Sequence, residues 1–137
     1  MAADLWSATS YKLLREDALE ADRWNRLHPA DTPRVPFVTS VLGDGAGPVV
    51  AVTDFMRIVA EQIQAWVPRD YIPLGTDGFG RSDTRAALRR FFETDTGHVV
   101  VAVLSGLVRD GSLPPEVMQR AFDRYGIDPD TTPPWRR

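Results

Sequence analysis

One glycine-rich segment of the chain, residues 74–85 (LGTDGFGRSDTR), carries residue types that could hold a phosphate group. It joins a predicted strand to a predicted helix, where free backbone N–H groups and the helix dipole favour an anion. Arg81 and Arg85 could add positive charge at the same place. The chemistry that these residues allow is therefore anion binding.

The known phosphate-binding motifs do not match this segment. A dinucleotide fingerprint that starts at Gly78 requires glycine or alanine where Asp83 stands. A P-loop requires Gly-Lys-Ser or Gly-Lys-Thr, and the only lysine of the chain is Lys12. We therefore interpret the segment as a tight turn with unusual backbone angles, in which Ser82 or Asp83 caps the following helix. Anion or nucleotide binding at 75–85 is kept as an alternative.

Other groupings with catalytic or ligand-binding potential are incomplete. We interpret a basic helix face as solvated or subunit-facing rather than as a contact to a phosphate backbone. This face consists of Arg81, Arg85, Arg89 and Arg90. The chain has two histidines, His28 and His98, and no cysteine, so histidine-rich and thiolate metal centres are excluded. We therefore assign no catalytic, cofactor-binding or metal-ligating residue.

The composition is that of one ordinary domain, which we expect to occupy residues 1–137. The chain has 137 residues, 43% of them hydrophobic and 26% charged, so wholesale disorder is not expected. A net charge of −3 argues against nucleic acid or an anionic membrane surface as the main partner. The first residues show no secretory signal, and the longest apolar run, 99–104, is too short to span a bilayer. We therefore predict a cytoplasmic protein.

Three short segments have the pattern of β-strands. Residues 4–8 alternate in part, residues 48–53 (PVVAVT) are almost entirely apolar, and residues 70–74 form the third candidate. Helical segments alternate with these strands along the chain, which implies crossover connections and a parallel sheet. The sequence therefore predicts an α/β fold.

The predicted helices are marked by apolar spacing and by capping residues. Thr9 or Ser10 caps the first helix, and Asp54 caps the third. The stretch 98–108 fits either a buried strand or a helical face, and its length, a possible cap at Asp95 or Thr96, and Gly111 beyond its end favour a helix. We predict helices over residues 10–27, 37–42, 55–67, 84–92, 98–108 and 116–125, with Gly126 ending the last, and an extended segment over 127–137.

Several sequence blocks match a known family in the same order along the chain. The most specific block is 74–83 (LGTDGFGRSD). The others are 7–10 (SATS), 24–29 (WNRLHP), 32–36 (TPRVP), 52–56 (VTDFM), 91–93 (FFE), 99–102 (VVVA) and 126–128 (GID). Together they closely resemble the C-terminal region of the homodimeric, thiamine-diphosphate-dependent first components of the bacterial pyruvate dehydrogenase complex. The resemblance covers essentially the whole chain, and the arginine-rich composition is similar to that of an actinobacterial member.

This resemblance implies a particular version of the α/β fold. The family's C-terminal region is transketolase C-terminal-like, with three layers around a mostly parallel sheet. The family domain begins with another strand and helix before the segment that matches Asp4. The resemblance therefore implies a domain that lacks its first strand and helix.

The resemblance also implies where the cofactors lie. In the family, thiamine diphosphate and magnesium are bound by the other two domains across the dimer interface. The usual signature is Gly-Asp-Gly followed by a distant Asn-Asn. Gly43-Asp44-Gly45 follows no suitable strand, and Asn25 is the only asparagine of the chain. We therefore expect no cofactor to be bound by this chain itself.

By this resemblance the chain is the C-terminal part of the first component of pyruvate dehydrogenase and is inactive alone. It would support the dimer and the active-site architecture for oxidative decarboxylation of pyruvate and acetyl transfer to lipoyl groups. The implied partners are the remaining domains, the homodimer mate and the lipoyl acyltransferase component, with no nucleic acid and no membrane. The alternative is a non-enzymatic interaction module that binds the full-length enzyme at its dimer interface.

The glycine-containing block has a defined place in the first of these two hypotheses, in which the chain is the C-terminal part of the enzyme. It would be a structural loop at a domain or subunit boundary. The residues assigned to this loop are Thr76, Asp77, Gly78, Phe79, Gly80, Arg81, Ser82 and Asp83. We call it the glycine-rich loop below.

Overall fold

The computed structural model describes residues 2–137. Its helices and strands are α1 (Tyr11–Leu27), α2 (Phe37–Leu42), β1 (Val49–Val52), α3 (Arg57–Glu61), β2 (Tyr71–Leu74), α4 (Arg85–Phe91), α5 (Thr96–Arg109) and α6 (Glu116–Tyr125). Two 3-10 turns span Gln64–Trp66 and Pro134–Arg136. Strands and helices alternate in the middle of the chain, so the predicted α/β fold is confirmed.

The sheet consists of β1 and β2, which run parallel, with Val49 opposite Tyr71 and Val52 opposite Leu74. The apolar run 48–53 therefore forms a strand, as predicted. Helices α1 and α2 contribute to a core that covers one face of this sheet, while α5 contacts both strands and packs against α6. The core cluster contains Val38, Ile63, Val67 and Tyr71, with Tyr11, Leu14, Leu42, Val49, Ala51 and Trp66 packed around it.

The predicted strand at residues 4–8 is wrong. This segment has no regular structure, and its Leu5 side chain is 100% exposed. Among the described residues, β1 and β2 pair only with each other, so no third strand provides hydrogen-bond partners for residues 4–8. A short alternating segment does not form a strand without such a partner. The sheet accordingly has two strands where the sequence predicts three.

The predicted helix over 55–67 is shorter in the structure and is not capped by Asp54. Helix α3 starts only at Arg57, and a 3-10 turn follows it at Gln64–Trp66. The Phe55 carbonyl accepts a hydrogen bond of 2.9 Å from the Thr76 N–H beyond the end of β2, so this carbonyl is engaged with the neighbouring segment rather than with a first helical turn. Tertiary hydrogen bonding therefore delays the start of the helix by two residues.

The other helix starts agree closely with the sequence. Ser10 caps α1, because its hydroxyl accepts a hydrogen bond from the Leu13 N–H. Helix α4 is capped by Thr84 rather than by Ser82 or Asp83, and the Asp83 carboxylate instead accepts the Thr84 N–H at 2.7 Å. The ambiguous stretch 98–108 is helical within α5, whose cap is Asp95. Helix α6 ends at Gly126 in the left-handed conformation, as predicted.

By length and composition alone, the stretch Arg85–Arg109 is apolar enough to cross a membrane. In the structure this stretch is two helices, α4 of 7 residues and α5 of 14 residues, separated at Glu93, where φ is +60°. A membrane-spanning helix requires about 20 continuous residues. The stretch therefore has the composition, but not the continuous helical length, of a membrane span.

The loop before β1 is organised around the guanidinium group of Arg69. Its Nε donates to the Gly47 carbonyl at 2.9 Å, and its terminal nitrogens donate to the carbonyls of Leu42 and Ala46. These three carbonyls lie at the end of α2 and on the approach to β1, so one side chain binds both ends of the connection. Arg69 thus holds the entry to the sheet.

Tyr71 is the most polar member of the core cluster, and its hydroxyl donates to the Ala60 carbonyl at 2.8 Å. Burial raises the pKa of Tyr71 well above its ordinary value, and the neighbouring Tyr11 and the charge of Glu61 raise it further. Burial also raises the pKa of Tyr11, which packs against the same core. The neutral phenol of Tyr71 is therefore the form that the folded chain requires.

We expect Tyr71→Phe to lower the free energy of unfolding by about 1–2 kcal/mol at pH 7, because the Ala60 carbonyl loses its buried donor. The folded-state pKa is raised, so the parent chain should lose stability as the pH rises above about 10, where the unfolded phenol ionises. Urea denaturation between pH 7 and 11 measures both effects. The alkaline loss should be smaller in Tyr71→Phe, and an equal loss in both chains would contradict the assignment.

Candidate functional site

The glycine-rich loop follows β2 directly and is anchored at its first two residues. The Thr76 hydroxyl donates to the Asp54 carbonyl at 3.0 Å. The Asp77 carboxylate accepts the N–H of Arg57 at 3.1 Å and lies 3.4 Å from the guanidinium group of the same residue. The start of the loop is therefore fixed to the start of α3, at the carboxyl ends of both strands.

The centre of the loop is in contact with a distant part of the chain. Gly78 has a φ of +115°, the kind of unusual backbone angle that the sequence predicts for this turn. A Cβ atom at Gly78 would lie 3.1 Å from the Pro134 carbonyl oxygen and 3.1 Å from the Trp135 Cα. The predicted extended tail instead forms a 3-10 turn at this point. Glycine at position 78 therefore allows residues 134–135 to lie directly on the loop.

The tip of the loop is strongly exposed although it is apolar. Phe79 is 86% exposed, and Phe55 at the entry to α3 is 71% exposed. Trp135 lies beside Gly78 and also lines a cavity of about 290 Å³ together with Ile58. Trp135 thus connects the loop with the start of α3. We call Phe55, Met56, Ile58, Phe79 and Trp135 the apolar surface. Such a group of exposed large side chains is typical of an interaction site.

The charges beside the apolar surface are mostly paired. The Arg57 guanidinium lies 2.9 Å from Glu61, 3.4 Å from Asp77 and 5.6 Å from the Trp135 ring centroid. This arrangement leaves the cavity with a cation that two carboxylates already neutralise. The cavity therefore suits an apolar side chain of a partner better than an anionic ligand.

The basic face predicted for α4 is also largely engaged within the chain. Arg89 lies 3.4 Å from Asp54, and Arg90 lies 3.2 Å from Asp95. The Arg81 guanidinium is 4.1 Å from the centroid of the Phe91 ring. These contacts reduce the positive charge that an anion would encounter.

A second cavity, of about 450 Å³, lies between α4 and the residues that follow α6. Its charged walls are three arginines and three carboxylates, so their formal charges cancel: Arg81, Arg90, Arg137, Asp83, Glu93 and Asp128. An anion site requires an excess of donors or positive charge. The geometry therefore gives little support to the alternative of phosphate or nucleotide binding at 75–85.

The two histidines make local contacts and are not brought together. The His28 ring stacks on Trp24 with a centroid distance of 3.7 Å, and the Arg34 guanidinium lies 3.6 Å from the same indole centroid. The Asn25 side chain accepts the Arg34 N–H at 2.7 Å and donates to its carbonyl at 2.9 Å. The blocks WNRLHP and TPRVP therefore pack against each other around Trp24.

His98 has a similarly local partner. Its Nδ1 is 2.7 Å from the Asp95 carboxylate, and its backbone N–H donates to the same group. Partial burial raises the pKa of Asp95, but hydrogen bonds from His98 and Arg90 outweigh it and hold the pKa below its usual value. Within residues 2–137, no group of three His, Cys, Asp or Glu side chains could hold a metal ion.

Comparison with known proteins identifies the family. Residues 1–95 match the family described as "Transketolase-like TK C-terminal domain". The chain belongs to this family. The match ends at the cap of α5, so α5, α6 and the residues after them lie outside the matched residues.

Curated relatives are similar to this chain over almost its whole length. It is 50% identical over 135 residues to the "Pyruvate dehydrogenase E1 component" of Pseudomonas aeruginosa, covering 98% of this chain and 15% of the relative. It is 52% identical over 128 residues to the protein of the same name from Mycolicibacterium smegmatis, covering 93% of this chain and 14% of the relative. The Mycobacterium tuberculosis relative is 49% identical over 128 residues. The resemblance that the sequence blocks indicate is confirmed, including its actinobacterial members.

The relatives are much longer proteins, so other domains accompany the matching portion in each of them. The sequence identified the glycine-rich loop but missed the segment 133–137, whose residues 134–135 lie against the loop, and Glu93, which pairs with Arg137 of this segment. The bulky Trp135 after a pair of prolines was a signal that this segment folds back onto the domain.

We expect Gly78→Ala to lower the free energy of unfolding by about 1–3 kcal/mol, because a Cβ there is strained at this φ and meets the backbone of residues 134–135. Gly80→Ala is the matched control: nothing lies within 4 Å of its Cβ position. It should change stability by no more than about 0.5 kcal/mol. Urea denaturation of the two variants beside the parent chain checks this, and equal losses would contradict the contact.

Proposed function

We propose that residues 1–137 form one transketolase C-terminal-like domain of a pyruvate dehydrogenase first component, with an architectural role. The observation that carries this proposal is the apolar surface at the carboxyl ends of the two strands, where Phe55 and Phe79 are 71% and 86% exposed. Large aromatic side chains at such exposure favour burial against another protein surface. The glycine-rich loop is then a boundary loop between this domain and its neighbours.

The proposed partners are the remaining domains of the enzyme, its homodimer mate and the lipoyl acyltransferase component. Thiamine diphosphate and magnesium would be held by the other domains, and the assembled cytoplasmic enzyme would decarboxylate pyruvate and transfer an acetyl group to a lipoyl group. Two observations support this placement. The chain matches relatives named pyruvate dehydrogenase E1 component over 93–98% of its length, and it covers only 14–15% of theirs. The proposal assigns no reacting group to this chain.

The second candidate function is a non-enzymatic module that binds the full-length enzyme. The edges of the two-stranded sheet favour it, because within the described residues β1 and β2 pair with no other strand. Unpaired strand edges are available to a strand of another chain. The two functions differ in whether the complex that the chain forms is catalytically active.

The decisive experiment supplies the rest of the enzyme in trans. We expect the chain, co-expressed with the Mycolicibacterium smegmatis relative from which the matching region has been removed, to form a stable complex in size-exclusion chromatography with light scattering. The complex should decarboxylate pyruvate with thiamine diphosphate and magnesium, whereas the chain alone should not. Restoring the relative's own matching region is the positive control for activity.

A matched pair of variants tests the surface itself. Phe79→Ala should weaken the complex by about 2 kcal/mol, or roughly 30-fold in Kd, because a central aromatic anchor is removed. Leu5→Ala removes a fully exposed apolar side chain from the irregular segment before α1 and should leave Kd unchanged. A folded chain that forms no complex with either the truncated or the full-length relative overturns both candidate functions. An inactive complex beside an active positive control overturns the enzymatic one and supports the module.

A further inference from the structure

The segment 133–137 crosses the glycine-rich loop and is held at both ends of this crossing. Pro134 is buried, although the residues on either side of it are mostly exposed. Its carbonyl and the Trp135 backbone lie against Gly78. At the other end, Arg137 donates to the Glu93 carboxylate at 2.8 Å, and its guanidinium is 5.1 Å from the Phe91 ring centroid.

Glu93 has a backbone conformation that residues other than glycine rarely adopt. Its φ is +60°, and within residues 2–137 it is the only residue other than glycine with a positive φ. The Thr94 N–H donates to the Arg89 carbonyl at 2.9 Å, so Glu93 sits at the left-handed position that follows a helix, where glycine is usual. A glutamate there costs conformational energy that a glycine would avoid, so the helix end by itself gives no reason for a glutamate. The ion pair with Arg137 gives this side chain a role.

The tip of the glycine-rich loop has no hydrogen bonds of its own. In the described part of the chain, none is formed by the backbone or the side chains of residues 78–82. The tip is held by the contact of Gly78 with residues 134–135 and by Arg81 against Phe91. Phe91 is thus contacted by guanidinium groups from both the loop and the segment 133–137.

We infer that residues 133–137 are a strap that fixes the glycine-rich loop in the conformation that presents Phe79, and that Glu93 is its anchor. The strap also supplies Trp135 to the apolar surface, so this surface is complete only when the strap is docked. The effect on partner binding rests on the proposed function. The effect on loop order concerns this chain alone.

Glu93→Gly distinguishes the effect of the strap on loop order from an effect on the overall stability of the fold. Glycine suits the left-handed helix end, so the melting temperature should stay the same or rise. Without the ion pair, the Arg137 end of the strap should be released while Pro134 stays packed, and the ¹⁵N order parameters of residues 78–82 should fall below those of the parent chain, to about 0.6 or less. Arg137→Ala should produce the same fall, and the double variant should add nothing, since both changes remove one interaction.

Gly111→Ala is a control for a strained glycine that does not contact the strap: its φ is +79°, and nothing lies within 4 Å of its Cβ position. It should lower the melting temperature without changing the order parameters of residues 78–82. Unchanged order in both Glu93→Gly and Arg137→Ala would overturn the strap, as would a loop that is already mobile in the parent chain.

Binding to the rest of the enzyme provides the second readout. If the competent loop falls to about a tenth of the population, Kd should rise about tenfold in Glu93→Gly. A chain whose loop loses order in this variant, but whose parent form binds no partner, supports the strap and overturns the proposed function. An unchanged Kd with a disordered loop overturns the inferred link between the strap and the interface.

Discussion

The parallel pairing of β1 and β2 is the constraint on which the rest of the structure depends, because it continues beyond the strands themselves. The Thr76 N–H still donates to the Phe55 carbonyl, and the Arg57 N–H then donates to the Asp77 carboxylate. The two segments that leave the sheet therefore stay side by side until α3 begins. As a result, the start of α3 and the start of the glycine-rich loop form one hydrogen-bonded unit.

The support of the loop changes in kind after Asp77. Hydrogen bonds give way to packing against the strap and to the stacking of Arg81 on Phe91. Such contacts are less directional than hydrogen bonds, and a segment held by few of them opens at a lower free energy than the sheet. The loop is thus rigid at its base, where it joins β2. At its tip, where Phe79 is exposed, its conformation depends on the packing contacts with the strap and with Phe91.

The sequence predicts those elements whose signals are local. The apolar run 48–53 forms β1, and the cap at Asp95 correctly favours a helix for the ambiguous stretch that follows. The strand at 4–8 fails because alternation cannot supply a neighbouring strand. The helix over 55–67 starts later than predicted because a hydrogen bond from Thr76, some twenty residues away, engages the Phe55 carbonyl. Long-range hydrogen bonding is the information that local patterns lack.

The candidate site divides in the same way. Its glycines mark a turn in the sequence, and Gly78 does have a positive φ, but nothing local pairs Glu93 with Arg137. The structure adds the information of which charged groups near the site are paired and which apolar groups are exposed. The nearby cations are largely paired with carboxylates or stacked on aromatic rings, while the aromatic side chains remain in water. A surface that has compensated its charges and left its apolar groups exposed has more free energy to gain from a protein partner than from an anion.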